Sequence, residues 1–143
     1  MSQPNDRAPV LLHPGFVGAG AILLIAAFIT DVMYYRTSLM QWANFSAWLI
    51  VAGLLLALLA AIFLIVDFAI GHARRISWLD FVLVAVAALL SLLNAFIHSR
   101  DAWTSVVPQG ILISGIVTIL LVVVGFRGWT VTALRPPVVG ERP

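Results

Sequence analysis

Three histidines offer the most versatile chemistry in this sequence. His13 begins the first long apolar segment and His72 follows the second, so two antiparallel helices would bring them to the same end. Two imidazoles at one depth can ligate a haem iron, and a metal ion would add Asp67 or Asp80. His98 ends the third segment, about 27 Å away along a helix axis, and cannot share that site. A b-type haem or metal site at His13 and His72 is therefore one alternative function, beside histidines bonded to headgroups or backbone carbonyls.

Two acids adjoin the apolar segments and suggest a second alternative, a small-solute or proton transporter. Such a protein would work through Asp31 and Asp67. The simpler interpretation pairs Asp31 with Arg36 or Arg100 at one border, and Asp67 with the Arg74-Arg75 pair at the other. The centres of the segments hold no ionisable residue, and a conducting path usually requires ionisable groups through the middle. The spacing of the acids therefore disfavours transport.

Other chemistries lack the residues they need. The chain has no Cys, which excludes disulfides, zinc thiolates and thiol nucleophiles. Its basic charge comes from eight Arg without any Lys, and no basic run exceeds Arg74-Arg75, so phosphate backbones have no cluster to bind. No Ser-His-Asp set, Gly-rich phosphate loop or metalloprotease motif occurs. The sequence predicts neither a nucleic-acid binder nor an enzyme.

The elements that position these residues follow from composition. Hydrophobic residues make up 62% of the 143 positions and charged residues 10%, too apolar a mixture for the surface of a soluble domain. Charges divide the chain into windows of the length that crosses about 30 Å of hydrocarbon. Because backbone groups in lipid must bond within their own segment, we expect helices. The predicted fold is an all-α integral membrane protein, an antiparallel bundle of four transmembrane helices at about 16–35, 45–69, 78–97 and 107–129.

The borders of these spans are marked by prolines, aromatic residues and charges. Pro14 and Pro108 mark the starts of the first and fourth spans, and Asp80 suits the positive end of the third helix dipole. An interfacial aromatic belt is expected from Tyr34, Tyr35, Trp42, Trp78, Trp103 and Trp129. Short polar tails at 1–9 and 136–143 complete a single membrane domain over 1–143. The N-terminal side carries six arginines and the opposite side two, which predicts that both termini are cytoplasmic.

Small residues recur every four positions in three spans. The stripes are Gly53-Ala57-Ala61, Ala87-Ser91-Ala95 and Gly110-Ser114-Thr118. Such stripes let helix backbones approach closely in a membrane, where the hydrophobic effect does not drive association. We interpret them as packing within one bundle, with contact to another protein as the alternative. The combined polar and packing candidates are Asp31, Asp67, Asp80, Asn94, Arg100, Gly53, Ala57, Gly110 and Ser114.

The order of these features resembles DUF2231, a family of small bacterial membrane proteins of unknown function. The resemblance covers about residues 11–135 and is most specific over Thr30–Phe68. The matching residues are Leu12-His13-Pro14, Thr30-Asp31, Tyr35, Thr37, Trp42-Ala43, Ser46, Trp48-Leu49, Gly53, Ala60-Ala61, Asp67-Phe68, Arg75, Trp78, Asn94, Arg100, Pro108, Gly110, Ser114 and Gly125-Phe126-Arg127-Gly128.

The resemblance implies a four-helix protein of the bacterial inner membrane without an established activity. Family members often carry further histidines where this chain has Gly18, Asp80 and the Leu134-Arg135 pair. Of that set this chain keeps His13, which weakens the cofactor interpretation. Our leading hypothesis is a non-catalytic accessory or interaction subunit that binds no cofactor. Its partners would be the lipid bilayer and another membrane protein or a second copy.

Overall fold

The computed structural model describes residues 11–73, 75–100 and 102–132 and contains four long helices. They are α1 (His13–Thr37), α2 (Met40–Ala69), α3 (Trp78–His98) and α4 (Gln109–Phe126), with a short 3-10 helix at Ala102–Ser105. Each of the four is long and apolar enough to cross a membrane. The predicted all-α four-helix membrane bundle is confirmed. The predicted tails, together with Arg7, Arg74, Asp101, Arg135 and Arg142, lie outside the described residues.

The helix ends differ from the predicted borders for local reasons. Helix α2 begins at Met40, not at 45, because only Ser38 and Leu39 separate it from α1. Helix α4 ends at Phe126, not at 129, because the backbone turns at Gly128 with φ 98°. Glycine adopts that positive φ without steric cost.

The helices form a closed antiparallel ring. Helix α1 packs most extensively on α2, α3 packs on α4, and α1 closes the ring against α4, while α2 and α3 form the loosest seam. We call the end of the bundle that holds the pair of His13 and Asp67 the Asp67 end. The opposite end holds Asp31 and Ser46, and we call it the Asp31 end. Because α1 and α3 lie diagonally, few of their residues meet.

Small side chains bring the backbones together at the centre. The core consists of Ala21, Leu24, Ala27, Ile50, Ala87, Val117 and Leu121. A Cβ on Gly53 would lie 2.7 Å from Leu24 Cγ and 3.2 Å from the carbonyl oxygen of Gly20, so the α1–α2 contact requires glycine there. Ala57 is half-buried and lines a cavity of about 30 Å³, whereas Ala61 is exposed. The predicted packing stripe on α2 thus contributes through its first two members.

The chain after α4 folds back over the Asp67 end. Ser77 donates its backbone N–H to the carbonyl oxygen of Val131 at 2.8 Å, and Ile76 forms an isolated antiparallel bridge with Thr132. The ring of Trp129 lies against Gly125, where a Cβ would come within 2.6 Å of it.

The predicted aromatic belt is partly wrong. Trp78 and Tyr35 are exposed near the helix ends, as an interfacial belt requires. Tyr34 is buried at 3% exposure, and Trp129 is half-buried against the core. These two rings fill gaps between helices, so aromatic type alone did not identify the residues that face the interface.

Candidate functional site

A buried carboxylate connects all four helices at the Asp31 end. Asp31 is fully buried, and its Oδ1 accepts a hydrogen bond from Ser46 Oγ at 2.5 Å and lies 2.9 Å from His98 Nε2. Its Oδ2 accepts a hydrogen bond from Ser114 Oγ at 2.5 Å. Helices α1, α2, α3 and α4 contribute one side chain each. We call these four residues the Asp31 cluster.

A second layer of bonds orients the Asp31 cluster. Asn94 Nδ2 donates to Ser114 Oγ at 2.7 Å, and the backbone carbonyl of Asn94 lies 3.0 Å from His98 Nδ1. The other atom of that amide, Oδ1, is buried and has no hydrogen-bond partner among the described residues. Gly110 leaves room for this arrangement, since a Cβ there would lie 3.0 Å from His98 Cε1. Asn94, Gly110 and Ser114, which the sequence marked as candidates by residue type, therefore meet at one site.

An apolar cap closes the Asp31 cluster from the end of the bundle. Tyr34 follows Asp31 by about one helical turn and packs in a buried cluster with Ala43 and Val106. Trp42, Val107 and Ile111 pack around these three. Val106 is completely buried. The polar cluster is therefore sealed behind apolar side chains.

The predicted arginine partners of Asp31 are wrong. Arg36 is exposed, and Arg100 donates from Nη1 to Gln109 Oε1 at 3.0 Å. Asp31 lies about 9 Å inside the end of α1, so its carboxylate faces the core rather than the border. His98 is the partner that sequence reasoning missed. The four-residue spacing of Asn94 and His98 was the available signal, because it places both on one face of α3.

A second acid–histidine pair stands at the Asp67 end. Asp67 accepts hydrogen bonds from the backbone N–H groups of Leu12, at 3.1 Å, and His13, at 3.2 Å. His13 Nδ1 lies 2.6 Å from the same carboxylate, and neither side chain is exposed. A residue of α2 thus caps the first turn of α1 in the way a local Asp would. The expected pairing of Asp67 with Arg75 is wrong: Arg75 is exposed and His13 occupies the carboxylate.

Asp80 forms a third polar contact, at the start of α3. It accepts hydrogen bonds from Ser77 Oγ at 2.5 Å and from the Arg127 guanidinium. Its place in the first turn of α3 is as expected. Hydrogen bonding to the Asp80 carboxylate raises the pKa of Arg127 above its already basic range. This contact joins the start of α3 to the end of α4.

The two histidines of the haem alternative have different surroundings. The ring of His13 is buried, with Nδ1 bonded to Asp67 and Nε2 3.5 Å from Thr130 Oγ1. His72 is exposed in the connection after α2. The described residues contain no group of three or more histidine or acidic side chains suited to a metal ion. The residues as placed do not fit a His13–His72 haem, which stays an untested prediction.

Comparison with known proteins identifies the family. The family described as predicted membrane protein (DUF2231) matches residues 9–134, nearly the whole chain. No curated protein and no solved structure gives a significant match. The match spans all four helices, both acid–histidine pairs and the contact between Asp80 and Arg127. The chain therefore belongs to the DUF2231 family of predicted membrane proteins.

Proposed function

We propose that this protein is a non-catalytic accessory or interaction subunit that binds another membrane protein through the seam between α2 and α3. The observation that carries the proposal is an open apolar groove of about 540 Å³ along that seam. Its lining residues are Val51, Leu54, Leu55, Leu58, Leu92, Ala95, Phe96 and Ser99. The groove spans about two turns of each helix, enough to receive side chains from one transmembrane helix of a partner.

The bundle has polar side chains in its interior and apolar side chains on its surface, which supports a role for that surface in binding another helix. The described polar side chains of Asp31, Ser46 and Ser114 face inward and bond to one another. The groove presents Leu55 at 58% and Phe96 at 66% exposure. In a bilayer, helices associate through packing into such recesses, because lipid tails are as apolar as the side chains. An apolar recess between two helices is therefore a suitable binding surface for a third helix. Among neighbouring helices of the ring, α2 and α3 pack least extensively on each other.

Site-specific photo-crosslinking tests the proposal in native membranes. A photoreactive residue at Phe96, inside the groove, should crosslink to a protein of defined mass. The same residue at Ile119 is the matched control, because Ile119 is equally exposed at 66% but lies on α4. Crosslinks to protein at Phe96 and to lipid alone at Ile119 support the proposal. Lipid adducts alone at both positions contradict it.

The transport alternative has less support from the geometry. Its two working groups, Asp31 and Asp67, lie at opposite ends, and each is bonded to its own histidine. Along α1 the positions between the two sites include the buried residues Val17, Leu24 and Ala27. A proton would have to cross this apolar stretch without an ionisable side chain. We therefore retain the interaction subunit as the proposed function.

We further propose a bacterial inner-membrane location with the Asp67 end in the cytoplasm, and the arginine distribution supports this orientation. Arg75 and Arg127 lie at that end, and the order of the spans in the sequence predicts the same side of the membrane for Arg7, Arg74, Arg135 and Arg142. The opposite end carries Arg36 and Arg100. Loops rich in arginine stay on the cytoplasmic side during insertion.

A further inference from the structure

An apolar cavity of about 30 Å³ lies inside the bundle, where side chains of all four helices meet. Helix α4 contributes Leu121, and the other three helices contribute mainly small residues. Six of the ten lining residues are glycine or alanine, and the other four are valine or leucine, so none of these described side chains is polar. The small residues are Gly20, Ala21, Ala57, Ala60, Ala87 and Ala88. We call this space the central cavity.

Polar contacts at both ends of the bundle fix the helix positions around the central cavity. At the Asp31 end, the Asp31 cluster joins one side chain from each helix by hydrogen bonds. At the Asp67 end, Asp67 holds α2 against His13 of α1, and Asp80 holds α3 against Arg127, which follows α4. Protein interiors contain few voids larger than a water molecule, because a void costs its lining dispersion contacts. Here the contacts at the ends set the distances between helices, and the small lining residues leave space between them.

The lining decides which molecules the central cavity can accept. A water molecule requires about 10–15 Å³ and roughly two to four polar partners. The volume of the central cavity satisfies the first requirement. The described lining does not satisfy the second, because its side chains are apolar and the backbone groups of helices bond within the helix. Apolar cavities of this kind bind uncharged apolar molecules such as xenon.

The seam between α2 and α3 gives access to the central cavity from the hydrocarbon. These two helices pack less extensively on each other than the other neighbouring pairs do. Ala57 on α2, and Val84 and Ala88 on α3, line the cavity and are half-buried. Ala87 and Leu121 line it from the buried side. Because transfer of an apolar molecule from water into an apolar environment is favourable, the bilayer concentrates such molecules beside this seam.

We propose that the central cavity binds a small uncharged apolar molecule, of the size of dioxygen or xenon, which enters from the bilayer between α2 and α3. The bound molecule restores dispersion contacts that the lining residues lack. The central cavity shares no lining residue with the groove described above. This inference therefore does not rest on the proposed interaction function.

Methyl NMR of the detergent-purified full chain under increasing xenon pressure tests the proposal. The alanine methyl groups carry ¹³C, and the signals are assigned by replacing one alanine at a time. Signals of Ala57 and Ala87, which line the cavity, should shift and saturate as the pressure rises. Ala52 and Ala85 are matched controls on the same two helices, and their signals should shift only in proportion to the xenon dissolved in the micelle. Equal shifts without saturation at all four alanines would overturn the proposal.

A substitution that fills the central cavity distinguishes binding inside it from binding to the outside of the seam. Ala88→Val should abolish the saturating shift at Ala87, because the added carbon atoms occupy the cavity. Ala85→Val, on the same helix but outside the lining, should keep that shift. If Ala88→Val does not fold, Ala57→Val fills the space from α2 and has the same expected result. A saturating shift that persists in the filled variant would contradict the proposal.

Discussion

His13 and Asp67 form a closed pair in which one carboxylate bonds both the imidazole and the backbone N–H of the same residue. The pair joins the first residue of α1 to α2 near its end, with neither side chain exposed. A helix begins with N–H groups that lack partners inside the helix. Here a residue from the neighbouring helix supplies the acceptor, so the start of α1 depends on α2.

Replacing Asp67 should therefore destabilise the bundle strongly. Asp67→Ala leaves the N–H groups of Leu12 and His13 without an acceptor and strands a buried imidazole, at a cost of about 3–5 kcal/mol. Equilibrium unfolding in mixed detergent micelles measures the change. His72→Ala, at an exposed position of the same end, should shift the free energy of unfolding by less than about 0.5 kcal/mol. Equal stability of the two variants would exclude a capping role for Asp67.

Gly53→Ala should destabilise the α1–α2 contact. The added Cβ would meet Leu24 Cγ at 2.7 Å, and the backbone of Gly20 blocks the other direction. Overpacking of this kind costs about 1–3 kcal/mol. Gly15→Ala in α1 is the matched control, because nothing lies within 4 Å of its Cβ and alanine favours the helix by about 0.5–1 kcal/mol. A loss of stability in both variants would point to a general effect of replacing glycine.

Val106→Ala should open the apolar cap over the Asp31 cluster. Val106 is completely buried beside Tyr34, so its truncation removes packing from both the cap and the start of α4. Hydrogen exchange should become faster at the amide of Ile111, which donates to the Val106 carbonyl oxygen at 2.8 Å. Mass spectrometry of exchanged peptides measures this. Peptides from the Asp67 end should keep their rates, and uniform acceleration would mean global destabilisation instead.

Arg127→Gln should lower the melting temperature only slightly and leave its pH dependence unchanged. The Arg127 side chain is 44% exposed, and exposed ion pairs contribute little. Because the pKa of Arg127 is raised, deprotonation of Arg127 weakens the contact with Asp80 only above the ordinary arginine range. The pair is thus intact from neutral to moderately alkaline pH. A large fall in the melting temperature would show that this contact contributes more than an exposed ion pair does.

Cysteine labelling checks the predicted orientation, and the chain has no native Cys to interfere. Gln41→Cys and His72→Cys place thiols at exposed positions on opposite ends. In intact spheroplasts a membrane-impermeant maleimide should label the Gln41→Cys thiol, and the His72→Cys thiol only after permeabilisation. The reverse pattern would place the Asp67 end outside.

The helices were predictable from sequence because hydrocarbon leaves the backbone no alternative to internal hydrogen bonds. Side-chain partners were not, because they depend on how each helix is rotated. Proximity in sequence suggested Arg36 as the partner of Asp31. However, the long side chain of an arginine can extend to the membrane border, whereas the Asp31 carboxylate lies inside the bundle. Its partner His98 is 67 positions away. The pairing of His13 with Asp67 was easier to predict from the sequence, because an antiparallel arrangement of α1 and α2 brings these two positions to the same end of the bundle.

Trp129 makes the segment after α4 part of the helix packing, although the hydropathy of that segment does not suggest such a role. The indole lies against Gly125 of α4 and Gly18 of α1, and so acts as a wedge that both helices share. A chain cut after Phe126 would keep every membrane-crossing helix and still lose this wedge, together with the Ile76–Thr132 bridge. Reporter tags and truncations should therefore be placed beyond residue 132. In a variant whose other four tryptophans are replaced by phenylalanine, Trp129 fluorescence would also monitor the α1–α4 seam.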